Sequence, residues 1–344
     1  SKDLLMDQKL LLEQGSPTGT MTANVGKVRN SGIELMLKGV LLQTKNFYWD
    51  VTATFAKNKN EILELQGKKE DMRAERWFIG QPIDVAYDLR QTGICTQATA
   101  NEKVTIDGVT KTKSEWYGYF EGCMTYEDIN KDGKIDDSDR QIIGQAMPKW
   151  TGTLSTSFSY KNWDFSMSVN TKQGHTLYSP FMQEFTDYSD RGRTKLKMDF
   201  YIPEGAPVFN YTWDGSNPSS LTSDRTVVAG QTHVGSYPYP LNDVNYNHGG
   251  GNGWYTGKNT EFKSNNYVDA SYWKIKNITL GYTFDKQLTK KIGIEHLRIY
   301  ANVLNPFTFT DYKGFDPEWA DAAILDGTGG PSSISYQIGL NVKF

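Results

Sequence analysis

Apolar and polar residues alternate one by one in several separate stretches of this chain. That is the period of a β-strand, whose successive side chains point to opposite faces. The clearest stretch is the last. Tyr336, Ile338, Leu340, Val342 and Phe344 alternate there with Ser335, Gln337, Gly339, Asn341 and Lys343. It has one greasy and one wet face, and its length suits a tilted strand that crosses hydrocarbon in roughly 9–11 residues. Phe47, Trp49, Val51, Ala53 and Phe55 repeat the pattern, alternating with Tyr48, Asp50, Thr52, Thr54 and Ala56. Leu154, Phe158 and Tyr160 precede a Lys161-Asn162 turn, and Trp163, Phe165, Met167 and Val169 follow it, a hairpin signature. Ile278, Leu280, Tyr282 and Phe284 form another row, as do Leu297, Ile299, Ala301 and Val303. The spacing predicts strands near 32–42, 47–57, 152–160, 163–172, 271–284, 297–308 and 335–344, with the tail of another at 1–10. Each is expected to pair antiparallel with its neighbour, with Trp49, Phe55, Phe165, Leu280, Ile299 and Leu340 facing outward.

A soluble sandwich explains any one such strand. It does not explain why short turns (43–46, 161–162, 285–296) alternate without a break with long connections (59–150, 174–266, 310–333). Transmembrane barrels have that asymmetry, with short periplasmic turns and long outer loops. The fold class expected is therefore all-β, an antiparallel transmembrane β-barrel segment. Residues 59–150 and 174–266 are expected as its long extracellular loops. Trp49, Trp163 and Trp273 sit at strand positions that suit membrane-interface anchors. Seven full strands do not close an even-numbered barrel, so residues 1–344 are expected to be the C-terminal part of a larger barrel or one chain of a split one.

Composition agrees. No run of 18 apolar residues exists and mean hydropathy is −0.58, so no transmembrane helix is encoded, but a barrel needs only alternate apolar residues. A net charge of −3 offers no basic field for nucleic acid. The opening residues Ser1-Lys2-Asp3, before a short apolar patch, are no signal peptide, so an exported chain of this kind is expected to start further upstream.

The sharpest candidate chemistry is an acidic loop. Asp128, Asn130, Asp132, Gly133, Lys134, Asp136 and Asp139 occupy positions 1, 3, 5, 6, 7, 9 and 12 of an EF-hand-type spacing. Ca²⁺ takes six to eight hard oxygen ligands. Asp128, Asn130, Asp132 and Asp139 would offer side chains, Lys134 its carbonyl, and Asp136 a water-mediated contact. Position 12 is Asp, not the bidentate Glu of the EF-hand, and the alternative is a solvated acidic turn. Cys95 and Cys123, the only cysteines, fall in one expected outer loop and are disulfide candidates in an oxidising compartment, or else two free thiols. His175, His233, His248 and His296 lack metal spacing, and no catalytic motif is present, so no enzyme is indicated. Trp77, Trp116, Tyr178, Tyr188, Trp213, Tyr237, Tyr239, Trp254 and Trp319 could offer faces to a sugar or peptide, or merely pack loop against loop.

Six ordered motifs, spanning nearly the whole chain, resemble the SusC-like (RagA-like) TonB-dependent transporters of Bacteroidota. They are N-V-G-K-V-R-N-S-G-I-E-L at 24–35, F-I-G-Q-P-I at 78–83, the acidic loop followed by I-G-Q-A-M-P-K at 143–149, D-A-S-Y-W-K-I-K-N-I-T-L-G-Y-T-F at 269–284, N-V-L-N-P-F-T-F-T at 302–310, and Y-K-G-F-D-P-E at 312–318. Lys274 stands where Arg is usual. The resemblance implies a barrel of about 22 strands with a plugged lumen in the outer membrane of a Gram-negative bacterium. It implies a SusD-like surface lipoprotein as lid, a TonB complex acting through N-terminal parts and a plug not represented here, and a glycan or peptide ligand. The alternative function is a structural or adhesive outer-membrane barrel.

Overall fold

The structure, a computed structural model, describes residues 4–9, 20–179, 201, 203–204, 207–212, 222–227, 232–236, 267–319 and 332–344. Two compact units divide the chain: Ser1–Ala86, Gly144–Phe181 and Val268–Phe344 make one, Tyr87–Ile143 and Met182–Tyr267 the other.

The first unit is built on one eight-stranded sheet, whose strands are numbered here in chain order: β1 (Leu4–Lys9), β2 (Thr20–Gln43), β3 (Phe47–Leu65), β4 (Trp150–Tyr160), β5 (Trp163–Gln173), β6 (Tyr272–Thr283), β7 (His296–Thr310) and β8 (Ser335–Lys343). Spatial order equals chain order, every pair is antiparallel, and among the described residues the first and last strands do not pair. The expected strands are all present. The fold is that of an open piece of a barrel wall.

The register joins the apolar positions into rows. Trp49 stands opposite Phe158, which stands opposite Phe165, then Leu280, Ala301 and Ile338. Another row runs Leu35, Phe55, Gly152, Thr171, Trp273, Phe309. A third runs Phe47, Tyr160, Trp163, Tyr282, Ile299, Leu340. All six residues expected on the outward face thus share one face. Large side chains stay uncovered there, Ile338 at 86% and Phe309 at 59%. The opposite face carries rows such as Asp50, Ser157, Ser166, Thr279, Asn302 and Gln337.

A β-bulge interrupts this phase. Ile275 and Asn277 oppose Val169 and Ser168 on β5, so Lys276 is an extra residue. On β7 the same level shifts from Leu304 to Phe307. The apolar face of β6 therefore passes from odd positions (Trp273, Ile275) to even ones (Ile278, Leu280, Tyr282).

Two boundaries differ from expectation. β2 begins at Thr20 rather than near 32, and β3 runs to Leu65 rather than 57. Residues 58–65 pair with 26–32 as regularly as the rest of the ladder but without apolar alternation. Ion pairs knit the extension: Arg29 and Lys59 both reach Glu61, and Lys27 reaches Glu64. Asn60 donates to Asn30 and accepts from the Ile83 amide. A Cβ on Gly32 would meet the Asn58 carboxamide at 2.0 Å and the Lys57 carbonyl at 2.9 Å, so a larger residue there requires Asn58 to move and crowds the backbone.

The second unit has its own local structure, where the sequence predicted long extracellular loops. Gln91–Ile94 pairs with Met124–Tyr126, and Lys103–Ile106 with Val109–Thr112. Short helices Gln97–Asn101 and Lys113–Tyr117 are capped by Thr96 and Thr112, the latter in a capping box with Glu115. Its core gathers Cys95, Ala100, Tyr119 and Cys123, with Ile135 packed against them. Pro207–Thr212 pairs with Thr222–Val227.

Candidate functional site

The polar face of the sheet carries the densest chemistry. Asp164 on β5 forms an ion pair with Arg298 on β7 at 2.5 Å, across the intervening β6. Gly281 lies between them, where a Cβ would come within 2.5 Å of both side chains, so the glycine of L-G-Y makes room for the pair. Arg298 in turn lies over the Tyr300 ring, 4.9 Å from its centroid.

At the opposite end of β6, two motifs far apart in sequence become one cluster. Lys274, only 1% exposed in its side chain, donates to Asp316 at 2.6 Å and Glu318 at 2.7 Å. Lys276, the bulge residue, reaches Glu318 at 2.9 Å, and the Tyr272 hydroxyl donates to the same carboxylate at 3.1 Å. The bulge thus aims a second cation at the same side as Lys274. Burial pushes the Glu318 carboxyl up, but hydrogen bonds from the two lysines outweigh it and bring it down to about 2. Asp316 also accepts from the Glu318 amide at 2.9 Å, which fixes the turn. Beside the cluster, a cleft of about 520 Å³ is lined by Glu34, Thr153, Asn170, Lys172, Tyr272 and Glu318. Sequence reading found both motifs without joining them. Their opposite charges were the signal.

The acidic loop is folded as a tight turn. Asp128 accepts from the Lys131 amide at 2.6 Å, the Gly133 amide at 3.0 Å and the Tyr117 hydroxyl at 3.1 Å. Burial first, then the Asp128 charge and hydrogen bond, push the Tyr117 phenol up to about 12. Asn130 accepts from the Asp132 amide, Asp132 from the Lys134 amide, and Asp136 from Ser138, whose hydrogen bonds hold its carboxyl below the usual range. Asp139, fully buried, accepts from Ile129 and Asp136. Gly133 has φ +82° and lies under Trp116, where a Cβ would stand 2.4 Å from the ring. Among the described residues, no three His, Cys, Asp or Glu side chains converge on a metal-sized centre.

Cys95 and Cys123 are side by side as buried thiols, the Cys95 amide donating to the Cys123 carbonyl at 2.8 Å. Of the loop aromatics, Trp77 packs on Ile62 and Leu65, while Trp116 covers Gly133 and donates to the Val104 carbonyl. Tyr188, Trp213, Tyr237, Tyr239, Trp254, His248 and the Trp319 side chain lie outside the described residues. Trp49, Trp163 and Trp273 all stand on the exposed apolar face, with Phe47, Tyr160 and Tyr282 flanking one end and Trp150, Phe307 and Phe309 the other.

No protein-family model matches the chain. It is 26% identical over 379 residues to the TonB-dependent receptor P39 of Formosa agariphila, across 99% of this chain and 33% of that protein. It is 25% identical over 354 residues to the TonB-dependent receptor SusC of Bacteroides thetaiotaomicron, across 95% of this chain and 28% of SusC. The chain therefore spans about a third of the length of the curated relatives it matches. Its fold superposes on the RagAB peptide importer in the open-open state with a TM-score of 0.61 at 21% identity, covering all of this chain and 31% of that one. In sequence and in fold, then, this chain matches one part, about a third, of the TonB-dependent receptors of the SusC/RagA family.

Proposed function

We propose that the chain supplies part of the wall and outer loops of a TonB-dependent importer in the outer membrane of a Gram-negative bacterium of the Bacteroidota, and that the importer takes up oligosaccharides. The observation that carries this reading is the two-faced sheet: mostly apolar rows across the paired strands, with Ser, Thr, Asn and charged groups opposite. Phe47 and Phe55 are eight residues apart on β3, about 26 Å along a strand. A tilt of ~40° turns that into about 20 Å of height, close to the ~25 Å apolar band of outer-membrane barrels with aromatic girdles at both edges. Lipid suits one face, and a plug with water the other. Movement of nutrient, not catalysis, is the activity. The plug and the segment that meets the TonB complex would lie in the rest of the protein, and a SusD-like lipoprotein would close the outer mouth. SusC and the paired RagAB assembly support that part. Peptides are the second reading of the cargo, favoured by the description of RagAB as a peptide importer.

Within the same reading, residues 128–139 hold a structural Ca²⁺ through Asp128, Asn130, Asp132, the Lys134 carbonyl, Asp136 and Asp139. Support comes from the hard oxygen donors, the tight backbone turn and Gly133 at its left-handed position.

Brominated-chain lipids test the membrane placement. Whole protein in vesicles should show quenched emission from Trp49, Trp163 and Trp273, each read as the only tryptophan; unquenched emission removes the reading. Growth of a gene-deleted strain on oligosaccharides or on peptides as sole carbon source decides the cargo.

A further inference from the structure

The segment from Cys95 to Cys123 lines a cleft of about 630 Å³ through residues that include Thr99, Ile106, Lys113 and Tyr117, and Asp128 and Lys131 of the acidic loop line it too. Its two ends meet. The Cys95 amide donates to the Cys123 carbonyl at 2.8 Å, and the Gly122 amide returns to the Cys95 carbonyl at 2.7 Å. Gly122, at φ 88°, and Cys123 together oppose Cys95, as in a β-bulge opened by a left-handed glycine, and the 2.8 Å bond from the Cys95 amide to the Cys123 carbonyl holds those two backbones within the roughly 4.4–6.8 Å Cα range a disulfide spans. Both cysteines are buried, at 0% and 3% exposure, and Ile135 of the acidic loop packs on their cluster.

We propose that Cys95 and Cys123 are joined by a disulfide that closes the cleft-forming segment and clamps it against the acidic loop. One thiolate attacks a sulfur of an external disulfide and expels a thiolate, giving a mixed disulfide. The second cysteine attacks the protein sulfur of that bond and expels the other thiol. The two cysteines lose two electrons and two protons, and the oxidant is reduced to two thiols. Burial of the pair places this step before the core closes around it, and shields the bond afterwards. The inference rests on the proposed export of the chain for the oxidant alone.

The test denatures whole protein, purified from the outer membrane without reductant, in the presence of an alkylating agent. Peptide mass mapping should find Cys95 and Cys123 unalkylated in one cross-linked pair, lighter by two hydrogens than the two thiol peptides. In parallel, whole reduced protein is refolded in detergent with oxidised glutathione. Alkylated cysteines in both preparations overturn the inference. A bond formed on refolding but absent from the native protein overturns the inference, since protein recovered from the outer membrane has already been exported; absence of the protein from the outer-membrane fraction overturns the export reading instead. Reduction should raise proteolytic cleavage within 95–131 on the order of 10²-fold, as expected for a closed loop of about 28 residues. The Cys95→Ser/Cys123→Ser variant should match the reduced rate and ignore reductant. Cleavage unchanged by reduction overturns the clamping role.

Discussion

Replacing Lys274 with Met removes the central cation from a cluster that holds residues 311–319 against the polar face of β6. Asp316, 1% exposed in its side chain, then keeps its charge without its 2.6 Å partner, whereas Glu318 retains Lys276. Breaking a buried pair from one side costs about 3–5 kcal/mol, because the remaining ion has lost its solvation. The loss should stay local, since the backbone ladder of β6 with β5 and β7 does not depend on the lysine. Amide exchange is the appropriate assay. Protection at the amides from Tyr312 to Glu318, Pro317 having none, should fall about 10²–10⁴-fold, at about 1.4 kcal/mol per decade, while β6 amides keep theirs. Adding Asp316→Asn should restore most of it: the amide oxygen still accepts from the Glu318 backbone and the stranded charge is gone. Unchanged exchange in Lys274→Met, or a double variant as damaged as the single one, refutes the account.

The same cluster sets a pH window: a carboxyl lowered to about 2 adds stability that is complete above the ordinary value of 4.5 and is lost as pH falls through the lowered value, so protection of 311–319 should hold at pH 5 and decay between 4.5 and 2. Chelator should accelerate proteolysis within 95–150, and Asp132→Ala should do the same without chelator while the strands stay intact; equal rates with and without chelator, or a loop ordered without ion density at high calcium, remove the Ca²⁺ proposal. Gly32→Ala should destabilise the β2–β3 extension by about 1–3 kcal/mol through its clash with Asn58, read as faster exchange at residues 58–65.

The strand faces were legible because period-two alternation has one cause, an apolar medium on one side and polar surroundings on the other, and each register position repeats it. Where that cause ends, so did the legibility: Val28 through Gly32 pair with β3 as regularly as Ile33 through Leu37 do, but carry no alternation to show it. The Lys103–Thr112 hairpin had a signal that went unread. Asp107-Gly108 sits between V-T-I and V-T-K, and both residues adopt positive φ, 49° and 78°, as a two-residue type I′ turn requires. Lys274 and Asp316 are 42 residues apart, and only the β6–β7 ladder brings their chains together. The acidic loop's spacing placed its turn correctly because each side chain caps an amide two to five residues on, a local geometry.

The bulge at Lys276 makes the wall resemble a text with a reading frame of two. Inserting or deleting one residue in any strand exchanges its apolar-face and polar-face letters from that point onward, so such changes should survive in the connections and be purged from the strands. β6 carries a frameshift already: Trp273 and Ile275 are written in one frame, Ile278, Leu280 and Tyr282 in the other. Neighbouring β7 absorbs the shift with two residues of its own, Asn305, at φ 50°, and Pro306, and so preserves the message across the pair. Deleting Lys276 alone would leave β7 proofread against a frame that no longer exists. Compensation would have to arise on the facing strands, which predicts that length changes at this level of the wall evolve in concert.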